Sequence, residues 1–154
     1  MTKLTLIISI ILILLMTNCG FKVVNDSNLK NFKIAEIITT GDKRINYKIK
    51  NKLISFASKN EKKLIKLNLV SNKIKSIKEK NIKNEITKYQ IILDSNIQLN
   101  LLGTEKKSQI KLSSSGDYLV AKNYSTTINN EKQLIDNLVE NLSEKILDEI
   151  NLNF

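Results

Sequence analysis

The sequence lacks histidine, tryptophan and proline, and it contains a single cysteine among 154 residues. Zinc and redox-metal sites are built from clusters of His and Cys, so the composition excludes them. Ser-His-Asp and Cys-His catalytic arrangements are excluded for the same reason. A Ser-Lys nucleophile remains open because both residue types are abundant, although no such pair stands out. We therefore expect a protein without metal or cofactor and without catalytic activity.

Glycine and aromatic residues are also scarce. The four glycines, Gly20, Gly41, Gly103 and Gly116, lie far apart, whereas a phosphate-binding loop needs several of them close together. Aromatic residues make up 5% of the chain, and no recognised RNA-reading or zinc-binding pattern is present. Because single-stranded nucleic acid is read by stacking on aromatic side chains, we do not expect nucleic acid as a partner.

Charge is plentiful and unevenly divided, with 25 Lys and Arg against 15 Asp and Glu, for a net charge of +10. Such a chain is attracted to anionic partners, including lipid head groups and phosphorylated glycolipids. Almost every cation is a lysine, however, and Asn and Ile are also abundant. A compositional bias of the source organism therefore explains the lysine count at least as well as an anionic ligand does.

The N-terminus reads MTKLTLIISIILILLMTNC, with one cation at Lys3 and an apolar stretch from Leu4 to Met16. These thirteen residues suit the hydrophobic region of a signal peptide and are too few to span a bilayer comfortably. A buried core helix is the alternative, but the segment has no polar face. We therefore predict that residues 1–18 form a signal peptide and that the protein is exported.

The end of this segment, Leu15-Met16-Thr17-Asn18-Cys19-Gly20, resembles the lipobox of bacterial lipoproteins. That resemblance implies a diacylglycerol on the thiol of Cys19 and cleavage just before it. Asn18 departs from the pattern, which normally has Gly, Ala or Ser there. Gly20, in place of the Asp that retains lipoproteins in the inner membrane, implies an outer-membrane destination. The alternative is an unpaired structural cysteine, which is unfavourable in an oxidising compartment.

The first strand is predicted at about residues 32–38, because apolar residues alternate there with polar ones. Its expected inward face comprises Phe32, Ile34, Glu36 and Ile38. The Thr-Thr-Gly-Asp segment that follows is predicted to be a turn.

Two amphipathic helices are predicted from apolar residues at helical spacing. The first covers about residues 43–58, with Asp42 as its N-cap, and the second covers about 130–150, with Asn129 or Asn130 as its N-cap. Their apolar stripes are Ile45, Ile49, Leu53, Phe56 and Ala57 in the first helix, and Leu134, Leu138, Leu142, Ile146 and Ile150 in the second.

Three further strands are predicted between the helices. Residues 64–69 alternate cleanly, and the apolar phase shifts near Ile74, which indicates a bulge or strand end. The polar run 76–84 is interpreted as a hairpin connection. Alternation then persists over residues 89–101, and residues 108–120 complete an antiparallel hairpin with them.

The element order is therefore β-α-β-β-β-α, typical of an α+β domain. We expect a four-stranded sheet with both amphipathic helices on one face. The domain organisation follows: residues 1–18 are a signal peptide, 19–31 a lipid-anchored tether, and 32–154 a single domain.

The chain resembles the lipopolysaccharide-assembly lipoprotein family (LptE), whose members plug the outer-membrane lipopolysaccharide translocon. The mature start Cys19-Gly20-Phe21 is similar to the family's common opening. The element order matches over residues 19–150. The passage Gly116–Ile150, with a strand end at Tyr118-Leu119-Val120 leading through Asn123-Tyr124-Ser125 into a long helix, is similar to that of alphaproteobacterial members.

This resemblance implies a non-catalytic lipoprotein, anchored in the outer membrane, with its domain on the periplasmic side within the lumen of a large β-barrel partner, LptD. It also implies help with barrel assembly and with delivery of lipopolysaccharide. The runner-up is an unrelated periplasm-facing lipoprotein that acts as an adaptor or secretion pilot. That protein would share the anchor and lack the barrel.

If lipopolysaccharide binds, its phosphates need ammonium groups held close together. Lys78, Lys80 and Lys83, in the connection between the second and third strands, are the candidate contacts, joined by Lys73 and Lys75. A solvated lysine-rich loop is the alternative, and it remains open.

Overall fold

The computed structural model describes residues 32–56 and 63–153. The predicted signal peptide, the tether and Cys19 lie outside these residues. The described elements, in chain order, are β1 (Phe32–Gly41), α1 (Lys43–Phe56), β2 (Lys63–Lys80), β3 (Ile86–Leu101), β4 (Lys107–Leu119) and α2 (Tyr124–Asn153).

The strands form one mixed sheet in the order β1-β2-β3-β4. β1 runs parallel to β2 because α1 carries the chain back between them, as a crossover between parallel strands requires. β2, β3 and β4 are successive antiparallel neighbours joined by hairpins. The predicted α+β class and the order β-α-β-β-β-α are confirmed.

Both helices pack on one face of the sheet, as predicted, and that face holds the core. Each buried leucine or isoleucine contributes about 2 kcal/mol by leaving water, so this single layer of contacts dominates stability. The fully buried large side chains come from four of the elements: Ile49, Leu53, Ile65, Leu67, Leu69, Ile91, Leu93, Ile97, Leu99, Leu142 and Ile146.

The inward face predicted for β1 is wrong in its second half. Pairing with β2 shifts between Ile34 and Glu36, which marks a β-bulge. An extra residue in one strand reverses which side chains point inward beyond it. Phe32 and Ile34 therefore face the helices as expected, but Ile37 replaces Glu36 and Ile38 on that face.

β2 is much longer than predicted. The shift expected near Ile74 is absent, because pairing with β3 continues without a break through Ile77, and the strand ends at Lys80. The run 76–84 is therefore mostly strand, and the connection is limited to 81–85. Backbone pairing with a neighbouring strand holds this polar segment in place, whereas alternation of apolar residues, the basis of the prediction, stops earlier.

The start of α2 was also misplaced. The helix begins at Tyr124, and its cap is Asn123 in place of Asn129 or Asn130. The Asn123 Oδ1 accepts the backbone N–H of Ser125 at 2.8 Å. The first turns of the helix carry few apolar residues, so helical spacing gave no signal for them.

The junction between β1 and α1 follows the prediction for Asp42. Its Oδ1 accepts the N–H groups of Arg44 at 2.9 Å and Ile45 at 3.1 Å, which caps the helix. The side chain of Asn46, which is buried, donates to the carbonyl of Thr40 at 2.7 Å. These bonds fix the angle at which the helix leaves the sheet.

Replacing Gly41 by alanine is expected to destabilise the domain by about 1–3 kcal/mol. Gly41 has a φ of +94°, and a Cβ there would lie 2.3 Å from the carbonyl oxygen of Ser71. The matched control is Gly103→Ala, at a φ of +82° with nothing within 4 Å, which should show only the conformational cost of about 1 kcal/mol. Urea unfolding of both variants measures the difference, and equal losses would contradict the close contact with Ser71.

Candidate functional site

The end of the β2–β3 hairpin projects beyond β4 and carries the candidate lysines. We call residues 78–88 the hairpin tip. Its turn is held by the side chain of Asn81, whose Oδ1 accepts the N–H groups of Lys83 at 2.9 Å and Glu85 at 3.0 Å. Asn84 takes a φ of 63°, which asparagine tolerates better than most residues. The tip is therefore a defined turn, and its backbone sets the positions from which the lysine side chains extend.

All three predicted lysines, Lys78, Lys80 and Lys83, lie exposed on this tip. The ammonium of Lys80 donates to the side-chain oxygen of Asn84 at 2.9 Å. Lys88, which sequence reasoning did not single out, lies on the same tip. Contact of these lysines with a glycolipid stays a prediction.

Acidic residues partly neutralise the positive charge of the tip. Glu79 lies 2.9 Å from the ammonium of Lys88, and this hydrogen bond raises the pKa of that lysine. The carboxylate of Glu85 accepts from the side chain of Asn81 at 2.7 Å. Ile82 at the apex is fully exposed, so the tip presents an apolar side chain among cations.

Lys73 and Lys75, proposed as further members of this cluster, do not join it. They continue the inward-facing phase of β2 and turn towards α2. The ammonium of Lys75 lies 2.7 Å from Oε2 of Glu131, and that of Lys73 lies 4.0 Å from Oε1. The hydroxyl of Tyr118 donates to the same Oε2 at 2.8 Å. The structure therefore gives these two lysines an acidic partner within the domain.

Two tyrosine rings complete the surroundings of Lys75. Its ammonium lies 4.5 Å from the ring centre of Tyr89 and 5.3 Å from that of Tyr118. The rings are stacked, with centres 5.6 Å apart and planes inclined by 25°. Cation–π contact and the ion pair with Glu131 act together. They tie the base of the projecting hairpin to α2, and we call this group the hairpin anchor.

The hairpin anchor shifts the ionisation of its members. Burial alone would raise the pKa of Glu131, but hydrogen bonds from Lys75 and Tyr118 and the charges of Lys75 and Lys73 outweigh it, so this pKa is lowered. Burial would lower the pKa of Lys75, but its interactions with Glu131 and Tyr118 raise it. Burial chiefly raises the pKa of Tyr118. The carboxylate and ammonium therefore stay charged over a wide pH range.

Sequence reasoning missed the hairpin anchor, although one signal was available. Lys73 and Lys75 fall in the same alternating phase as Leu67 and Leu69, which are buried. Cations on the inward face of a strand need an acidic partner. Which carboxylate supplies it depends on the packing of α2, which the sequence does not specify.

The opposite face of the sheet is not covered by any element that the structure describes. Its side chains are mostly polar, with Asn and Gln frequent on β3. Large apolar side chains nevertheless stand among them with between 38% and 61% of their surface exposed: Ile38, Leu64, Val70, Ile74 and Leu119. We call this the open sheet face. Ile92 of β3 also lies on this face and is partly buried.

Within residues 32–56 and 63–153, no three His, Cys, Asp or Glu side chains are grouped so that they could hold a metal ion. None of the helices in that part of the chain is both long and apolar enough to cross a membrane.

No family model and no curated protein matches this sequence. Solved structures with the same fold do exist. A protein of Caulobacter crescentus named as a putative lipoprotein aligns with a TM-score of 0.56 at 12% identity, over 82% of this chain and 92% of that one. Rare lipoprotein B of Shewanella oneidensis aligns with a TM-score of 0.54 at 16% identity, over 77% of this chain and 99% of that one. The fold is therefore one that proteins named as lipoproteins also adopt.

Replacing Glu131 by glutamine is expected to destabilise the domain by about 1–2 kcal/mol at neutral pH, since the acceptor of the bonds from Lys75 and Tyr118 loses its charge. The folded-state pKa of Glu131 is lowered, so its contribution is present above the unfolded pKa of about 4.5 and is lost as pH falls through the folded value. The raised pKa of Lys75 keeps that partner charged at neutral pH. Urea unfolding at several pH values should show the two proteins converging in acid.

The matched control is Glu140→Gln, which removes a carboxylate whose contact with Lys52, at 2.7 Å, is exposed to solvent. Exposed ion pairs contribute little, so this variant should lose less than about 0.5 kcal/mol at any pH. If the stability lost in the Glu131→Gln variant did not change with pH, the role assigned to the charge of Glu131 would be contradicted.

Proposed function

We propose that the protein is a lipid-anchored outer-membrane lipoprotein of the lipopolysaccharide-assembly family. In this proposal its domain occupies the lumen of a large LptD-like β-barrel on the periplasmic side and assists lipopolysaccharide insertion into the outer leaflet. Cys19 carries the lipid, and the domain performs no catalysis. The open sheet face is the observation that carries the proposal, because no described element covers it and large apolar side chains stand partly exposed on it.

The shared fold supports this proposal. The alignment with rare lipoprotein B covers 99% of that chain, so the likeness extends over a complete domain. That name belongs to the family that this sequence resembles at Cys19-Gly20-Phe21 and in its element order. The fold, which includes the element order, and the N-terminal pattern are two separate reasons for the same assignment.

The open sheet face fits a barrel wall as its partner. Scattered apolar residues are common on any protein surface, but here Val70 and Ile74 lie on the same strand and the same face. The polar residues between them match the interior of a large barrel, which is itself polar. A wall of that kind would cover both sets of side chains without requiring a continuous apolar patch.

The hairpin tip fits the phosphates of lipopolysaccharide. Lys78, Lys80 and Lys83 project beyond β4 at one end of the sheet, where no described element covers them. Ammonium groups bind phosphate as point charges. Ile82 at the apex would contact the acyl region of the same glycolipid, since an exposed isoleucine gains by leaving water.

A photo-crosslinking amino acid at Val70 tests the barrel partner directly. In the native membrane, we expect irradiation to join the protein to a large outer-membrane β-barrel, identified by mass spectrometry. The same amino acid at Ile54, which is 51% exposed on α1, is the matched control and should give less of this product. A crosslink to the barrel from Ile54 alone would place the interface on the helices. If neither position gave a crosslink to a barrel, the barrel partner would be refuted.

Replacing Lys78, Lys80 and Lys83 together by glutamine is expected to weaken lipopolysaccharide binding by at least about tenfold, because the loss of even one charge-assisted contact costs about 1.5 kcal/mol. Binding of fluorescent lipopolysaccharide to the purified domain measures the effect. The matched control replaces Lys43, Lys107 and Lys111, which are equally exposed, and so removes the same charge. Equal losses in both variants would indicate unspecific attraction and would contradict a site at the tip.

A further inference from the structure

A cleft separate from the hairpin tip lies between the start of α1, the middle of β2 and the N-terminal half of α2. Its volume is about 330 Å³, within the range of small-molecule sites and far below what a complete lipopolysaccharide needs. We call it the helix cleft. Arg44 and Lys48 come from α1, Lys73 from β2, and Lys132 from α2. Three separate elements thus bring cations to one place.

Two of these cations have no acidic partner among the residues that the structure describes. Arg44 and Lys132 form no ion pair there, and both side chains are exposed. Lys73 has only the 4.0 Å contact with Glu131. Lys48 is neutralised by Asp136, which lies outside the lining. Arg44 and Lys132 are therefore free to meet an anion, and Lys73 lies beside them with only its long contact to Glu131.

The acids that line the cleft are already engaged. Glu131 accepts from Lys75 at 2.7 Å and from Tyr118 at 2.8 Å. Asp42 uses its Oδ1 to cap α1. The lining holds four cations against the two carboxylates of Asp42 and Glu131, so a surplus of positive charge remains. A bound anion would satisfy it.

The remaining lining is apolar. Ile45 is buried at 2% exposure and forms the floor, Ile135 packs against the core, and Ile128 is 43% exposed at the side of the cleft. An isoleucine that is nearly half exposed beside unpaired cations is suited to a ligand with both an apolar and an anionic part. Filling the cleft would bury that surface at about 25 cal/mol per Å².

We propose that the helix cleft binds a small amphiphile with a single alkyl chain and one anionic head group, phosphate or carboxylate. The head group meets Arg44, Lys73 and Lys132, and the first methylenes of the chain lie against Ile128 and Ile135. This site does not depend on the proposed function, because it shares no residue with the hairpin tip. A free phosphate would use the cations alone and leave the isoleucines exposed.

Calorimetric titration of the purified domain, below the micelle concentration, tests the site with three probes: decyl phosphate, decanoate and inorganic phosphate. Binding of one decyl phosphate or one decanoate per chain is expected, with inorganic phosphate at least about tenfold weaker. Decyl maltoside, which has no charge, should bind equally weakly. Equal affinity for inorganic phosphate or for decyl maltoside would overturn the proposed chemistry.

Two variants test whether the ligand binds in the helix cleft. Arg44→Gln and Lys132→Gln should each weaken decyl phosphate binding by about tenfold, the effect of one charge-assisted contact. Both residues are exposed, so the fold should be unchanged, as circular dichroism would verify. Lys107→Gln, a matched charge removal at an exposed position of β4 outside the cleft, should leave binding unchanged. A loss with Lys107→Gln comparable to those of the cleft variants, or no loss with either cleft variant, would overturn the assignment.

Discussion

From Ile65 opposite Leu101 to Ile77 opposite Tyr89, β2 and β3 pair in one register without a shift. Because of this pairing, the odd-numbered side chains of both strands lie on the same face of the sheet, and both helices pack on that face. A slip of one residue would exchange the buried leucines for the polar face. The core, the placement of Lys73 and Lys75 beneath α2, and the projection of the hairpin beyond β4 all depend on that register.

Apolar periodicity predicted most of this arrangement. The alternation over residues 89–101 identified β3, and the helical stripes identified α1 and the C-terminal part of α2. Two wrong predictions, for the end of β2 and the start of α2, share a cause. The far end of β2 and the first turns of α2 are polar and are held by hydrogen bonds, to β3 and to the cap Asn123. Periodicity reports burial, and these segments are not buried.

The hairpin tip, the hairpin anchor and the helix cleft also divide into what the sequence predicts and what only the packing determines. The position of the lysines on a hairpin end was predictable, because a lysine-rich run between two strands projects from a sheet. The pairing of Lys75 with Glu131, and the gathering of Arg44, Lys73 and Lys132, join residues far apart in the chain. Such contacts follow from the angles at which the two helices cross the sheet. The hairpin anchor separates Lys75, which is paired with Glu131 within the domain, from the lysines of the hairpin tip, which are exposed.

The most direct test of the barrel-plug account is purification of the tagged full-length protein from its native outer membrane in mild detergent, with mass spectrometry of whatever accompanies it. A large β-barrel protein is expected in equal amount, together with lipid on Cys19. Recovery of the lipidated protein alone, or with a secretion component, would contradict the plug and favour the adaptor.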